Sequence, residues 1–374
     1  LFLLSISKII VNTGIRMVYP FLPVISRGLG IPFETAALAV TGNFLIGFTL
    51  PVLGSVADLH SRKSSMLFGL GVFILGISVI VIWPSFPGLL LSLMISATGN
   101  YILDSAIQAY VGDRVDFDRR GRAIAIVESG WSLASLIGIP LVGWVISKWG
   151  WKAPFPILAL LAGFALITLI ATISNHPPQS PNQSTITGNF RAVFSSRMAV
   201  TGIAVGFLMS AGHMNFNIIF GAWMEGEFKL EILALGSITG ILGFAYLSGQ
   251  GLVAAISDRI GLRTALSGGI AGSILAALIL PLVSKQLVGA LVIVFLFYLL
   301  FEFSYISNLA LMTEMIPGSR ATMLSIVMAG SYLGMGLASW LGPALFNYGI
   351  LANSLFAAGL NITALVLILR FMRE

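Results

Sequence analysis

Roughly a dozen stretches of about 20 predominantly apolar residues run the length of this chain, and nearly all of its charge sits in the short segments between them. A stretch of that length and character is what a helix needs to cross the hydrocarbon of a bilayer. Hydrophobic residues make up 57% of the sequence and charged residues only 9%, where a soluble domain carries about 25% charge. A soluble core could not absorb so much apolar surface. Lipid is therefore the solvent, and the chain is expected to be an all-α membrane protein.

Spans are predicted at 2–25, 35–57, 64–83, 88–111, 121–147, 153–174, 198–222, 231–256, 263–283, 288–312, 320–346 and 351–372. With both termini inside, the cytoplasmic loops and tail hold Arg62, Lys63, Arg114, Arg119, Arg120, Arg122, Arg191, Arg197, Arg259, Arg263, Arg320, Arg370 and Arg373. The outer loops hold Arg27, Lys148, Lys152, Lys229 and Lys285. Basic residues accumulate on the cytoplasmic side of membrane proteins, so both ends are expected there. One long polar segment, with Pro177, Pro178 and Pro181, divides an N-terminal bundle of six spans (1–174) from a C-terminal bundle of six (198–374), leaving 175–197 as a cytoplasmic linker. It reads as a tether between halves that move, and equally as an ordinary solvated loop. The numbering opens at Leu1, so a short native start is expected upstream; no small-residue cleavage site follows the first apolar stretch, which reads as a retained helix.

Other classes drop out. There is no cysteine, and three histidines are too scattered for a metal cluster. The formal net charge of +6 is a topology signal and not a nucleic-acid footprint, because the basic residues lie in brief loops and form no basic domain. No G-x-x-x-x-G-K-[ST] loop, H-E-x-x-H motif or G-x-S-x-G elbow occurs, so neither ATP hydrolysis nor enzyme activity is expected, and no cofactor or metal. The glycine-rich run from Gly69 to Gly76 lies inside an apolar stretch and follows no strand; it reads as helix packing.

The two halves repeat. After the second span comes G-S-V-A-D-L-H-S-R-K, with Gly54, Asp58, Arg62 and Lys63; after the eighth comes A-A-I-S-D-R-I-G-L-R, with Asp258, Arg259, Gly261 and Arg263. Asp58 and Asp258 stand 200 residues apart, and Arg122-Ala123 recurs near that offset as Arg320-Ala321. Two anchors at one offset mark parallel six-helix repeats, a transporter architecture.

The first of these loops resembles the major facilitator superfamily pattern G-x-x-x-D-R-x-G-R-[RK]. Gly54, Asp58, Arg62 and Lys63 match it, while Leu59 and Ser61 depart from its arginine and glycine; the second copy supplies Arg259 and Gly261 but has Ala254 at the leading glycine. The fifth span is similar to the family's antiporter motif G-x-x-x-G-P-x-x-G-G in Gly138, Pro140 and Gly143, with Ile139 and Trp144 in place of two glycines. The resemblance covers essentially the whole chain. It implies twelve transmembrane helices in two pseudo-symmetric bundles, loop residues that latch one access state, and a likeness to the drug and sugar efflux branch. Small residues at Gly236, Gly240 and Gly243, and at Gly330, Gly334, Ala338 and Gly342, fall on spans that line the seam between halves in the family; static packing explains them as well. The buried arginine of many proton-coupled members would stand near Ile95 and is absent.

Ionisable groups inside a span are expensive and usually face a cavity or a partner. Here they are Arg16 in span 1, Asp104 in span 4, Glu128 early in span 5, His213 in span 7 and Glu302 in span 10. In the family, spans 1, 4, 7 and 10 surround the central cavity. Glu302 is expected to be the proton or cation site with His213 as neighbour or relay, since removal from water disfavours the charged form of a carboxyl group. Arg16 and Asp104 would be the first half's contribution to substrate binding; structural salt bridges are the alternative. Lys8, toward the inner end of span 1, is expected to snorkel. Asn12, Tyr19, Asn100, Tyr101, Gln108, Asn217 and Tyr305 add groups that could read a substrate's hydroxyls or amines, or join helices.

A secondary active exporter follows, exchanging protons or another cation for a small molecule by alternating access. A symporter or facilitator importing a sugar or metabolite, and a non-transporting receptor or scaffold, are the alternatives. A monomer in a bacterial inner membrane is expected. Because the chain has no native cysteine, Asn175→Cys and Arg197→Cys are clean labelling sites. Both are expected to react with an impermeant maleimide from the cytoplasmic face alone, and labelling from opposite faces would break the six-plus-six layout.

Overall fold

The computed structural model describes residues 1–49, 61–115, 117–173, 193–315 and 320–372; the side chains of 117–122, 258, 315, 320 and 321 lie outside the described residues. Every regular element among them is helical: α1 (Phe2–Arg16), α2 (Val18–Leu29), α3 (Phe33–Gly47), α4 (Arg62–Ile82), α5 (Phe86–Arg114), α6 (Phe117–Leu133), α7 (Ile139–Trp149), α8 (Pro154–Thr172), α9 (Arg197–Phe228), α10 (Ile232–Ile260), α11 (Leu262–Val283), α12 (Leu287–Met315), α13 (Arg320–Phe346) and α14 (Ile350–Phe371). Among the described residues ten helices are long and apolar enough to cross a membrane, with α6 and α7 counting as one. The pair α1 and α2, bent by 46°, makes an eleventh, and α3 is a shorter apolar helix. The twelve predicted spans each have their helix. The second is described only through Thr49, and the rest of its predicted range lies outside the described residues.

Large apolar side chains stand on the outside, among them Leu282 at 82% exposure and Ile82 at 81%. Water would not tolerate so continuous an apolar surface; lipid tails match it.

Two predicted helices are interrupted, and proline explains both. Pro20 has no N–H for the Arg16 carbonyl, and span 1 breaks there into α1 and α2. Pro140 has none for the Leu136 carbonyl, and the helix widens into a π turn over Ala134–Gly138, where the Ile139 N–H reaches back to Ala134 O.

The chain divides into two compact units, Leu1–Asn182 with Leu230–Gly243 and Gln183–Lys229 with Phe244–Glu374. In the first, span 1 packs on spans 5 and 6, and span 3 on spans 4 and 6. In the second, span 7 packs on spans 11 and 12, and span 9 on spans 10 and 12. The pairing repeats with a shift of six spans, as the loop motifs do.

Small residues set the closest approaches. In the first unit Gly143 and Gly236 bring α7 and the start of α10 backbone to backbone: a Cβ on Gly143 would lie 2.9 Å from the Gly236 Cα. In the second, Gly334 and Gly342 let α13 lie on α9. That unit is also pinned by a buried amide pair, with Asn215 Nδ2 donating to the Asn353 carbonyl at 2.9 Å and Asn353 Nδ2 donating to Asn215 Oδ1 at 2.8 Å. Asn353→Leu removes the Nδ2 donor to Asn215 Oδ1 and to the Gly342 carbonyl, leaving only the bond from Asn215 Nδ2 to the backbone carbonyl at 353. It is expected to lower stability by about 1 kcal/mol, read as a lower midpoint of thermal unfolding in detergent.

Candidate functional site: two buried polar clusters

The first cluster grows from a polar stripe on span 1. Ser5, Lys8, Asn12 and Arg16 follow at steps of three or four residues and share one face of α1, and Tyr19 continues the spacing on α2. Lys8 is 1% exposed and does not snorkel. Its Nζ stands 3.1 Å from Asp104 Oδ1 on α5 and 2.7 Å from Glu128 Oε1 on α6. The buried ammonium takes its compensation from two neighbouring helices. Asp104 and Glu128 are 28% and 40% exposed, so the open side of the cluster is anionic. Gln108, one turn beyond Asp104, donates from Nε2 to the same Glu128 oxygen at 3.2 Å. Asn12 Nδ2 donates to the Lys8 carbonyl.

Arg16 takes a separate place. Its guanidinium lies over the Trp131 ring, 3.6 Å from the centroid, and Nη1 donates to the Trp131 carbonyl at 2.8 Å. This holds span 1 to span 5 beside the break that Pro20 imposes. Asp104 thus pairs with Lys8, while Arg16 is carried by an aromatic face. Tyr19 is buried and stacks on Phe44 at 6.0 Å; Asn100 and Tyr101, one turn before Asp104, are buried.

The second cluster lies in the other unit. His213 on α9 is 2.7 Å from the Tyr246 hydroxyl through Nε2. Its ring lies flat on Phe301 at 3.9 Å and meets the Tyr298 edge at 4.8 Å. Phe301 also stacks on Tyr305 at 5.6 Å. Glu302, 3% exposed, accepts a hydrogen bond from Gln250 Nε2 at 2.8 Å. Tyr246 and Gln250 are one turn apart on α10, so that helix touches both ionisable groups. Asn217 is buried on α9. Among the described residues no three His, Asp or Glu side chains converge to hold a metal.

Of the loop residues, Arg62 Nε donates to Asp113 Oδ2 at 3.1 Å, and Lys63 Nζ donates to the Ile170 carbonyl in the last turn of α8 at 2.6 Å. Gly261, at φ +81, caps the start of α11. Arg259 is exposed and Arg263 half-buried. Gly54 and Asp58, and the side chain of Asp258, lie outside the described residues. Gly138 gives way to Thr13 on α1, and Pro140 rests against Gly240 on α10.

Sequence reasoning expected Lys8 to snorkel, which its ion pairs correct, and passed over Tyr246 and Gln250. The signal for Lys8 was its place in the stripe with Asn12 and Arg16. For Tyr246 and Gln250 no pattern sets them apart on a helix that reads as glycine packing.

A bundle of apolar helices with its few ionisable groups paired inside defines a polytopic membrane protein. The family model for the Major Facilitator Superfamily matches residues 4–211 and 202–374. The chain belongs to that superfamily and is a membrane transporter of its type. It is 24% identical over 297 residues to YbcL, an MFS-type transporter of Bacillus subtilis, covering 79% of this chain and 75% of that protein. It is 28% identical over 176 residues to a chloramphenicol resistance protein of Streptomyces lividans, covering 46% of this chain and 44% of that protein. Its fold matches crystal structures of the peptide transporter POT in complex with sulfate (TM-score 0.80, 14% identity, 99% of this chain and 93% of that one) and of the nucleoside transporter NupG (TM-score 0.77, 18% identity, 99% and 100%).

Lys8→Met leaves Asp104 and Glu128 without the ammonium they share. Both carboxylates are partly exposed, which softens the penalty relative to a fully buried pair. A loss of about 1–3 kcal/mol is expected at neutral pH, with Asp104→Asn in the same chain recovering part of it, as read by thermal unfolding.

Proposed function

We propose that this transporter is a proton-coupled exporter of small molecules, working by alternating access from the inner membrane of a bacterium with both termini in the cytoplasm. The observation that carries the coupling is the single ammonium of Lys8 shared by Asp104 and Glu128. With both acids ionised the set bears one net negative charge; with one protonated it is neutral. One proton can therefore come and go while the buried ammonium stays compensated, which a simple one-to-one ion pair would not permit. Glu302 supplies an acidic group to the other unit, with Gln250 and the His213 and Tyr246 pair on neighbouring turns.

Export is supported by Pro140 and Gly143, which resemble the antiporter motif, and by the similarity to a chloramphenicol resistance protein. Arg16, Asn12, Gln108, Asn100, Tyr101, Asn217 and Tyr305 are the groups offered to cargo. Arg62, Lys63, Arg259, Gly261 and Arg263, with Gly54, Asp58 and Asp258, are the latch residues; that reading is supported by the readiness of Arg62 and Lys63 for charge-assisted contacts, made within the first unit to Asp113 and to the end of α8. The chain acts as a monomer, without a cofactor.

Purified protein in proteoliposomes is expected to accumulate chloramphenicol, or a hit from a thermal-shift ligand panel, against its gradient when a proton gradient is imposed. Accumulation should stop when the proton gradient is collapsed. Glu302→Gln and Asp104→Asn are each expected to abolish the gradient-driven component, and unchanged gradient dependence in either variant removes that residue from coupling.

A further inference from the structure

Gln250 stands on α10, one turn after Tyr246, and its Nε2 donates to Glu302 Oε1 at 2.8 Å. The helix reaches Glu302 closely because its neighbour is Gly249: a Cβ there would stand 2.6 Å from the Leu299 carbonyl oxygen and 2.8 Å from the Glu302 Cβ. The two backbones meet at the level of the acid, and the reach of Gln250 is set by that approach. One turn earlier the Tyr246 hydroxyl is 2.7 Å from His213 Nε2, and the His213 ring lies flat on Phe301, the residue before Glu302. Rotation of α10 would break both hydrogen bonds.

We propose that Gln250 is the positioning residue of the Glu302 site, holding the carboxyl group in one orientation through both of its protonation states. The chemistry of a primary amide suits this role. Its N–H groups donate to an ionised carboxylate, and its carbonyl accepts from a protonated one, so the acid keeps a partner on either side of proton exchange. A hydroxyl of serine size would not span the gap, and a fixed cation would serve only the ionised form. Gly249 serves as the spacer that makes the amide's length correct. The proposal rests on the reading that Glu302 exchanges a proton, and its test separates the two.

The test is acid-minus-neutral infrared difference spectroscopy of the purified full chain in lipid, which reads the C=O stretch of protonated carboxyl groups and needs no cargo. The band lost in Glu302→Gln belongs to Glu302. Gln250→Met keeps the side chain's length and removes its donor and acceptor; the Glu302 band is expected to move to higher wavenumber, as a carbonyl does on losing a hydrogen bond. The exchanged pair, Gln250→Glu with Glu302→Gln, is expected to restore a carboxyl band at the wild-type position and guards against a misfolded Gln250→Met. An unmoved Glu302 band in Gln250→Met, or an exchanged pair with its band at the shifted position, overturns the positioning role while leaving proton exchange at Glu302 standing. If Glu302→Gln removes no band, the proton-exchange reading fails and the proposal with it.

Discussion

Inside a bilayer no water is at hand to compensate a charge, and that single constraint organises the interior of this protein. The Lys8 ammonium is the sharpest case. It is buried between helices, so two other helices bring carboxylates to it, and Asp104 and Glu128 arrive from α5 and α6. The same pressure places the Arg16 guanidinium on the Trp131 face and carbonyl, and the Gln250 amide on Glu302. Each ionisable group then becomes a tie between helices. Three spans of the first unit are held together by one shared charge, and any movement of span 1 changes the partners of Lys8.

The constraint that opposes these ties is close packing. Gly143 and Gly236 bring two helices into backbone contact, and Gly249 does the same for α10 and α12. Contacts of this kind carry little directional bonding, so helices meeting through them can slide, whereas helices joined by the Asn215 and Asn353 amides cannot. Proline adds compliance at chosen points: Pro20 breaks span 1 beside Arg16, and Pro140 forces the π turn ahead of Gly143. The units therefore combine polar ties in their interiors with smooth, glycine-lined helix faces.

Much of the fold was legible because the period and length of an apolar run report its solvent directly. The positions of the spans and the internal repeat were readable from the spacing of loop motifs, and the repeat returns in the structure as the same pairing of helices shifted by six. The break at Met17 was less legible, since a proline in a spanning helix announces a bend without saying whether neighbours absorb it. Lys8 shows the limit for the sites. A lysine near a predicted helix end has a simple reading as a snorkelling side chain, and only the approach of two acids from residues about 100 positions away reverses it.

The sequence by itself determined that the chain lives in lipid, that it carries two related sets of six helices, and which acids and bases are marooned among them. These are properties of local composition and spacing, and they survive without knowledge of what touches what. The tertiary structure alone decided the partners: Lys8 and not Arg16 for Asp104, Trp131 for Arg16, Tyr246 for His213 and Gln250 for Glu302. The physical reason is that most of the spanning helices present several faces of nearly equal hydrophobicity. Which face turns inward is chosen by packing and by the need to neutralise buried charge, and both depend on residues far away along the chain.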